Sequence, residues 1–468
     1  MRFISYTAAS FLLLLSGCVV GPNHVPPEMQ FPSKFSEGGV TSNGDVTVAA
    51  WWTAFNDPML TSYVEQGISQ NLDVQQAIER INSAAANVTI ARAGALPSLT
   101  LSGSHTVSGQ KGELRKQTYT SNTSTGELSL SWILDLFGAY KRNTESAEAA
   151  LDSAYASVTM AKLAFINDII SSYVDARYYQ RRLALSQANL KSRRETFELT
   201  KSKFDAGAVA RMDVVRAEGL VQSTLAEIPS LEASFRISAN RIATLLGKPA
   251  GSMVEEIAKG SNQPAFRADV NVGIPADIIR NRPDIRKAER DLADSTAQIG
   301  VAEAKLFPSI TLSGSISPSG GINERGVYGN LTPWSFGPSL KLPILDGGGL
   351  RANVDVAKSK ATVSYLKWKS SVLNAIEQVE NALVAMHREG RTVRALKREV
   401  EIAQETLRLS TLSYKDGASS LLDLLEAQRS LSVTQASLAR AVQEWAKVYV
   451  VLNIAIGSGY DPVAKAGL

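Results

Sequence analysis

The chain is short of the residues that most catalytic and metal sites need. Among its 468 residues stand one cysteine, Cys18, and three histidines, His24, His105 and His387. A single cysteine excludes an internal disulfide and a thiolate metal site. The histidines lie far apart and show no ligand spacing, so no metal site and no cofactor site is expected. Charge is also sparse: charged residues make up 20% of the chain and the net charge is +4, which makes no case for nucleic acid. No segment beyond the N-terminus approaches 18 uninterrupted apolar residues, which excludes membrane-spanning helices. Proline is missing over two long stretches, from Ser98 to Ile228 and from Ile344 to Asp461.

What the chain does have begins at its N-terminus. MRFISYTAASFLLLLSGCVV carries one arginine, an apolar run through Leu15 and then small residues. Residues 1–17 read as a signal peptide, too short for a spanning helix of roughly 20 apolar residues. LSGC, Leu15 to Cys18, resembles the bacterial lipobox. The resemblance implies that Cys18 is acylated and becomes the first residue of the mature chain. Val19 follows it rather than an aspartate, which implies the outer membrane. A single acyl signal anchors weakly, so a second membrane element is expected.

The chain is written twice. LPSLTLSGS (Leu96 to Ser104) returns as FPSITLSGS (Phe307 to Ser315), 211 positions later. At the same offset Asp73 faces Asp284, Ala77 faces Ala288 and Asp135 of ILDLFG faces Asp346 of ILDGGG. At an offset of 210, FDAGAVARMDVVRAE (Phe204 to Glu218) faces YKDGASSLLDLLEAQ (Tyr414 to Gln428). A unit of about 210 residues is too long for a solenoid repeat; two fused copies of one large unit are expected.

Each copy divides into helix and strand. Lys141 to Lys203 and Arg351 to Ser413 are rich in good helix formers. Apolar residues recur at threes and fours, as at Leu151, Ala154, Tyr155 and Val158. Such a run predicts a coiled-coil-like helix, roughly 90 Å long at 1.5 Å per residue. Gly207 and Gly417 mark sharp turns, and a second helix follows each. The repeated string alternates instead: Leu99, Leu101, Gly103, His105 and Val107 take one face, and Thr100, Ser102, Ser104, Thr106 and Ser108 the other. Ile310 to Ser317 does the same, which is strand periodicity. The polar face holds small hydroxyls without charge, as a membrane barrel around water would. Glu127 to Leu134 and Trp334 to Leu342 supply partner strands, with Trp132 and Trp334 placed for interfacial girdles. The polar stretches between them, such as GQKGELRKQTYTSNTSTG, are expected as loops. Four strands cannot close a barrel in lipid, where unpaired edge groups cost several kcal/mol each. The smallest bacterial barrels have eight strands, so several chains must combine, and three would give twelve.

Together the lipobox, WWTAFNDPML (Trp51 to Leu60), NLDVQQA, both TLSGS strands, LDLFG, LDGGG and the two hairpin turns resemble the TolC-like outer-membrane factor family, in its OprM-like lipoprotein branch. The resemblance covers essentially the whole mature chain. It implies an α+β membrane protein with two tandem structural repeats. A trimeric twelve-stranded outer-membrane β-barrel would be continued through the periplasm by a twelve-helix α-barrel with an equatorial domain. The expected division is a signal peptide at 1–17, a lipid-anchored segment at 18–58 and repeat 1 at 59–246, with strands about 98–108 and 126–135 and a hairpin about 138–245. An equatorial insert follows at 247–274. Repeat 2 spans 275–456, with strands about 309–317 and 333–343 and a hairpin about 348–455, and a tail closes the chain at 457–468. The implied function is the exit duct of a tripartite efflux pump of the resistance–nodulation–division type. Its implied partners are two further copies, outer-membrane lipid, a periplasmic adaptor and an inner-membrane transporter.

By the same resemblance Tyr414 and Asp213 match a pair that links neighbouring hairpins in a closed periplasmic gate. Asp423 and Glu426 match acidic rings, and Leu422 an apolar ring. Ser419 stands where TolC has an arginine, so one gate link is missing. The turns at Gly207, Ala208, Gly417 and Ala418 are expected to dock the adaptor. Asp423 also fits a plain helix-capping box with Ser420, and Asp213 a partial one. Three rival readings stand beside the duct: a barrel enzyme, which would need a nucleophile with a general base, a coiled-coil tether of the envelope, and the exit duct of a type I protein secretion system.

Overall fold

The computed structural model describes residues 19–30, 35–37, 50–111, 118–260, 262–266, 282–323 and 326–458. The signal peptide, Cys18, residues 267–281 and the tail from 459 lie outside the described residues. The helices are α1 (Pro58–Gln70), α2 (Leu72–Ala93), α3 (Ala139–Asp205), α4 (Arg211–Leu245), α5 (Val254–Ala258), α6 (Pro283–Ala304), α7 (Gly349–Lys415) and α8 (Leu421–Ala455). The strands are β1 (Ser98–Lys111), β2 (Thr118–Leu134), β3 (Ser309–Ile316), β4 (Ser319–Asn323), β5 (Gly326–Leu331) and β6 (Trp334–Lys341).

The duplication is kept in the elements. Helices α2 and α6 both have 22 residues, α3 and α7 both 67, α4 and α8 both 35. The long helices carry the good helix formers noted above, and α4 continues through Pro229. No helix among the described residues is long and apolar enough to cross a membrane.

The chain splits into two compact units. One comprises Arg80–Ala154 and Lys287–Lys369 with the described part of 1–28. It holds the sheet, which is antiparallel throughout. β1 pairs along one side of β2; β3 and β4 together pair along the other; β6 and β5 pair outside β3 and β4. Six strands thus make four ribbons, of which the one formed by β3 and β4 is broken at Ser317–Pro318 and the one formed by β6 and β5 at Thr332–Pro333. The stretches expected as loops largely carry strand, since β1 runs to Lys111, β2 starts at Thr118, and β4 and β5 fill most of 318–333. From Thr120 to Thr125 threonine, serine and asparagine occupy both faces, and β4 and β5 are rich in glycine. No apolar alternation marks these residues, and the ladder already begun carries them on.

Register sorts the faces. Leu101, Leu128, Ile316 and Trp334 lie in one row across the sheet, and Leu99, Leu130, Gly314 and Phe336 in the next. On the opposite face Thr100, Ser129, Ser315 and Ser335 share a row. Leu101, Trp334 and Phe336 are each more than 65% exposed. A Cβ on Gly314 would come 3.0 Å from the Phe336 ring, so the ring lies over the glycine.

The other unit comprises Met29–Glu79, Tyr155–Arg286 and Ser370–Leu468 in their described parts, with the motif WWTAFNDPML in its hydrophobic core. Trp51, Trp52, Phe55, Leu60 and Tyr63 pack on Ile166, Ile169, Ile170 and Tyr173 of α3 and on Tyr449 of α8. Asp57 caps α1, accepting from the backbone N–H of Met59 at 3.0 Å and of Leu60 at 3.1 Å. Pro58 takes the first helical position, where its missing donor costs nothing. The buried Arg177 guanidinium donates to the Ile257 carbonyl at 2.7 Å and to the Tyr173 hydroxyl at 2.8 Å. Tyr173 in turn donates to Asp57 at 2.7 Å. Burial pushes both the Tyr63 and Tyr173 hydroxyls well above the usual tyrosine range.

Candidate gate and docking site

The two hairpin turns have the same construction. Helix α3 ends at Gly207 with φ 77°, and α7 at Gly417 with φ 79°. The Ala208 N–H reaches back to the Lys203 carbonyl and the Ala418 N–H to the Ser413 carbonyl, both at 2.8 Å. These are Schellman closures, which need the left-handed residue that glycine adopts freely. A Cβ on either glycine would meet nothing within 4 Å. The glycines are there for backbone angle, and open space lies outside each turn.

The second helix of each hairpin starts differently. Ser420 and Asp423 form a complete capping box: the Asp423 N–H donates to Ser420 Oγ at 3.3 Å and the Ser420 N–H to Asp423 Oδ2 at 3.1 Å. Asp423 therefore has a structural role within the protomer. At the matching place in repeat 1, Ala210 offers no side-chain cap, and Asp213 faces Arg216 at 3.8 Å. Position 216 corresponds to Glu426, so the repeats put opposite charges at equivalent sites. Leu422, Asp423 and Glu426 are exposed on one face of α8. Leu421, Leu424 and Leu425 bury the other face against Tyr414, with Leu199 and Leu220 of the first hairpin packed alongside.

Tyr414 is buried, and its hydroxyl lies 3.1 Å from Thr200 Oγ1 on α3. The Lys203 ammonium donates to the Tyr414 carbonyl at 2.6 Å and sits 4.2 Å from the ring centroid. Tyr414 thus joins the second hairpin to the first, through Thr200 and not through Asp213. Further along α3, Gln428 donates to Thr196 at 2.8 Å and Asn189 to Ser432 at 3.1 Å. The α3–α8 seam is therefore polar at successive turns. Arg193 is buried beside it and donates to Thr224, and burial holds its guanidinium below the usual arginine range. The Ser419 hydroxyl is buried and has no hydrogen-bond partner among the described residues.

Sequence reasoning missed Thr200, Lys203 and Gln428. It also missed Arg142, which fastens the segment just after Cys18. The buried Arg142 side chain donates to the Val20 carbonyl at 3.0 Å, and to the Gly21 carbonyl and Asn23 Oδ1, both at 2.9 Å. The available signal was asymmetry between the repeats: Ala352 stands at the place equivalent to Arg142, and Ser413 at that of Lys203. Among the described residues no group of three or more candidate ligands clusters for a metal.

A β-sheet with an apolar outer face, joined to long paired helices with glycine-closed tips, defines an outer-membrane channel. The chain belongs to the outer membrane efflux protein family, whose model matches residues 64–248 and again 274–458. The second match lies 210 positions after the first, which is the duplication itself. Nodulation protein T of Rhizobium leguminosarum bv. trifolii is 92% identical over 468 residues, 100% of both chains. Antibiotic efflux pump outer membrane protein ArpC of Pseudomonas putida is 28% identical, covering 97% of this chain and 95% of that one. The solved structure of the outer-membrane channel OprN is 30% identical, with TM-score 0.84, covering 94% of this chain and 99% of that one. The protein is an efflux channel of the outer membrane that extends into the periplasm, and it is not an enzyme.

Proposed function

We propose that three copies of this chain form the exit duct of a tripartite efflux pump of the resistance–nodulation–division type, which carries drugs or other small molecules out of the periplasm. The observation that carries this reading is the four-ribbon sheet. Its apolar face is exposed, and its two outer edges have no strand partner among the described residues. Such edges are tolerable in lipid only when closed by more strands. Three copies supply a twelve-stranded barrel, and twelve long helices continue it. An inner-membrane transporter loads the duct, and a periplasmic adaptor docks at Gly207, Ala208, Gly417 and Ala418, where small side chains leave room for another hairpin. Cys18 carries the lipid. The name of the Pseudomonas putida relative supports small-molecule efflux over protein secretion.

The gate lies at the hairpin tips. Tyr414 and Asp213 hold neighbouring hairpins, Leu422 forms an apolar ring, and Asp423 with Glu426 forms acidic rings. The bond from Tyr414 across to Thr200 of α3 supports Tyr414 as a link between hairpins and does not involve Asp213. A hydrogen bond to a charged group is worth about 1.5–3 kcal/mol, and each 1.4 kcal/mol is about tenfold in an equilibrium. Tyr414→Phe with Asp213→Ala is therefore expected to raise single-channel conductance in planar bilayers at least severalfold. Glu426→Gln is expected to weaken cation preference with little effect on opening. Unchanged conductance in the double variant, with trimers intact, assigns these residues to turn and cap chemistry alone. Cys18→Ala is expected to abolish palmitate labelling; persistent labelling overturns the lipid anchor.

A further inference from the structure

The duplicated sheet contains a template for its own closure. Within hairpin 1, Leu99 pairs with Leu130. Advancing the first strand by 211 positions and the second by 210 gives Ile310 and Leu340, and these two pair in hairpin 2. Leu101 with Leu128 maps in the same way onto Leu312 with Pro338. The one-residue difference is absorbed after Leu342, where Pro343 is an extra residue before the shared Ile-Leu-Asp. The offsets therefore hold for backbone pairing as well as for sequence.

One junction in the protomer joins a hairpin to the next: β2 against β3. There Ser129 pairs with Ser315, Leu130 with Gly314, Ser131 with Ser313 and Trp132 with Leu312. Carrying the two strands forward by one repeat turns β2 into β6 and β3 into a second copy's β1. Resting on the trimeric duct proposed above, we infer that β6 pairs antiparallel with the β1 of a second copy of this chain in one fixed register: Ser339 opposite the partner's Ser104, Leu340 opposite the partner's Gly103, Lys341 opposite the partner's Ser102 and Leu342 opposite the partner's Leu101.

Three independent features fit this register. It keeps the faces sorted, with leucines meeting the apolar row and serines the hydroxyl row, whereas a slip of one residue would invert every side chain. It sets Leu340 opposite a glycine, as Leu130 is opposite Gly314 at the template junction. It also brings Lys341 into the row where Ser102 is paired with Glu127, so opposite charges share one hydroxyl face across the seam. Both strands are outer strands of the sheet and free of a second partner among the described residues.

The test uses the full-length chain in outer-membrane vesicles, where Cys18 is the native cysteine. Ser339→Cys combined with Ser104→Cys is treated with a short bis-methanethiosulfonate, which forms a disulfide with each thiol and releases methanesulfinate, because directly opposed residues have Cβ atoms about 5 Å apart. Within one protomer the two positions lie at least three strand spacings apart, more than roughly 14 Å, because Ser339 shares a row with Thr311 and Ile133 while Ser104 pairs with Thr125, so only a link between chains is read. Covalent dimers and trimers are expected for this pair, at several times the yield of Ser339→Cys with Ser102→Cys or with Thr106→Cys. A higher yield with either displaced partner overturns the register. No links from any pair, with a trimeric mass in detergent, overturns the β6–β1 seam. No links together with a monomeric mass overturns the trimeric reading on which the inference rests.

Discussion

Asp294 lies on α6, half-buried, and accepts from the Ser146 hydroxyl at 2.5 Å. Burial raises its carboxyl above the ordinary value, and the charge of Asp291 adds to this while the Ser146 hydrogen bond opposes it. The folded chain thus holds this proton more tightly than the unfolded chain. The resulting stability is present below the ordinary carboxylate pKa and is lost as pH rises through the folded value. Asp294→Asn keeps an acceptor for Ser146 and removes the buried charge. Its melting temperature is expected to exceed wild type by a few degrees at neutral pH and to converge with it in acid, as thermal scans across pH would record. Arg142 makes the opposite case, a buried charge fully used. Its guanidinium also donates to Glu145 at 2.7 Å, and the Val20 N–H donates to Phe137 at 3.2 Å. Arg142→Met is expected to speed amide exchange at Val20 to Asn23 by at least tenfold, since each lost charged bond is worth about 1.5–3 kcal/mol. Arg142→Lys is expected not to restore protection, because an ammonium lacks the planar fork of donors.

At the scale of the element, Asp57 joins α1 to α3 by capping the one and accepting from Tyr173 of the other. Asp57→Ala is expected to destabilise by about 1–2 kcal/mol, the usual cost of a lost cap. Asp57→Asn, which still caps, is expected to lose less, as denaturant melts in detergent would show. The helices and the strands β1 and β3 were legible in the sequence because their apolar residues recur with a period: threes and fours in α3, twos in Leu99 to Val107 and in Ile310 to Ile316. The outer reaches of the sheet were not, because Thr120 to Thr125 has no apolar alternation to set a period and is placed by its ladder with β1. The tips were half legible. Gly207 and Gly417 were readable from the turn chemistry, and the Ser420–Asp423 box from its spacing. The bond from Tyr414 to Thr200 spans 214 positions of sequence, and no local pattern records such a contact. The same holds for Arg142 and the three residues it reads.

At the scale of the whole molecule, the duplication would make the proposed ring of three chains six similar hairpin units with two kinds of tip. Only the second kind carries Asp423 and Glu426, since the first has Asp213 and Arg216 in those places. Arg216→Glu is therefore expected to double the number of glutamates at the position shared by Arg216 and Glu426, from one per chain to two, and to deepen block by multivalent cations in bilayer recordings. Wild-type sensitivity in that variant would mean that the α4 face lies away from the conducting path.

The two unpaired outer edges of the sheet bear on more than closure. On the trimeric reading the edge strands are satisfied only by other chains, so the chain would not complete its fold alone, and folding and encounter would become one event governed by mass action. The melting temperature of the purified protein should then climb as protomer concentration rises, and dilution alone should unfold the sheet. A melting point independent of concentration would belong to a sheet that stands by itself.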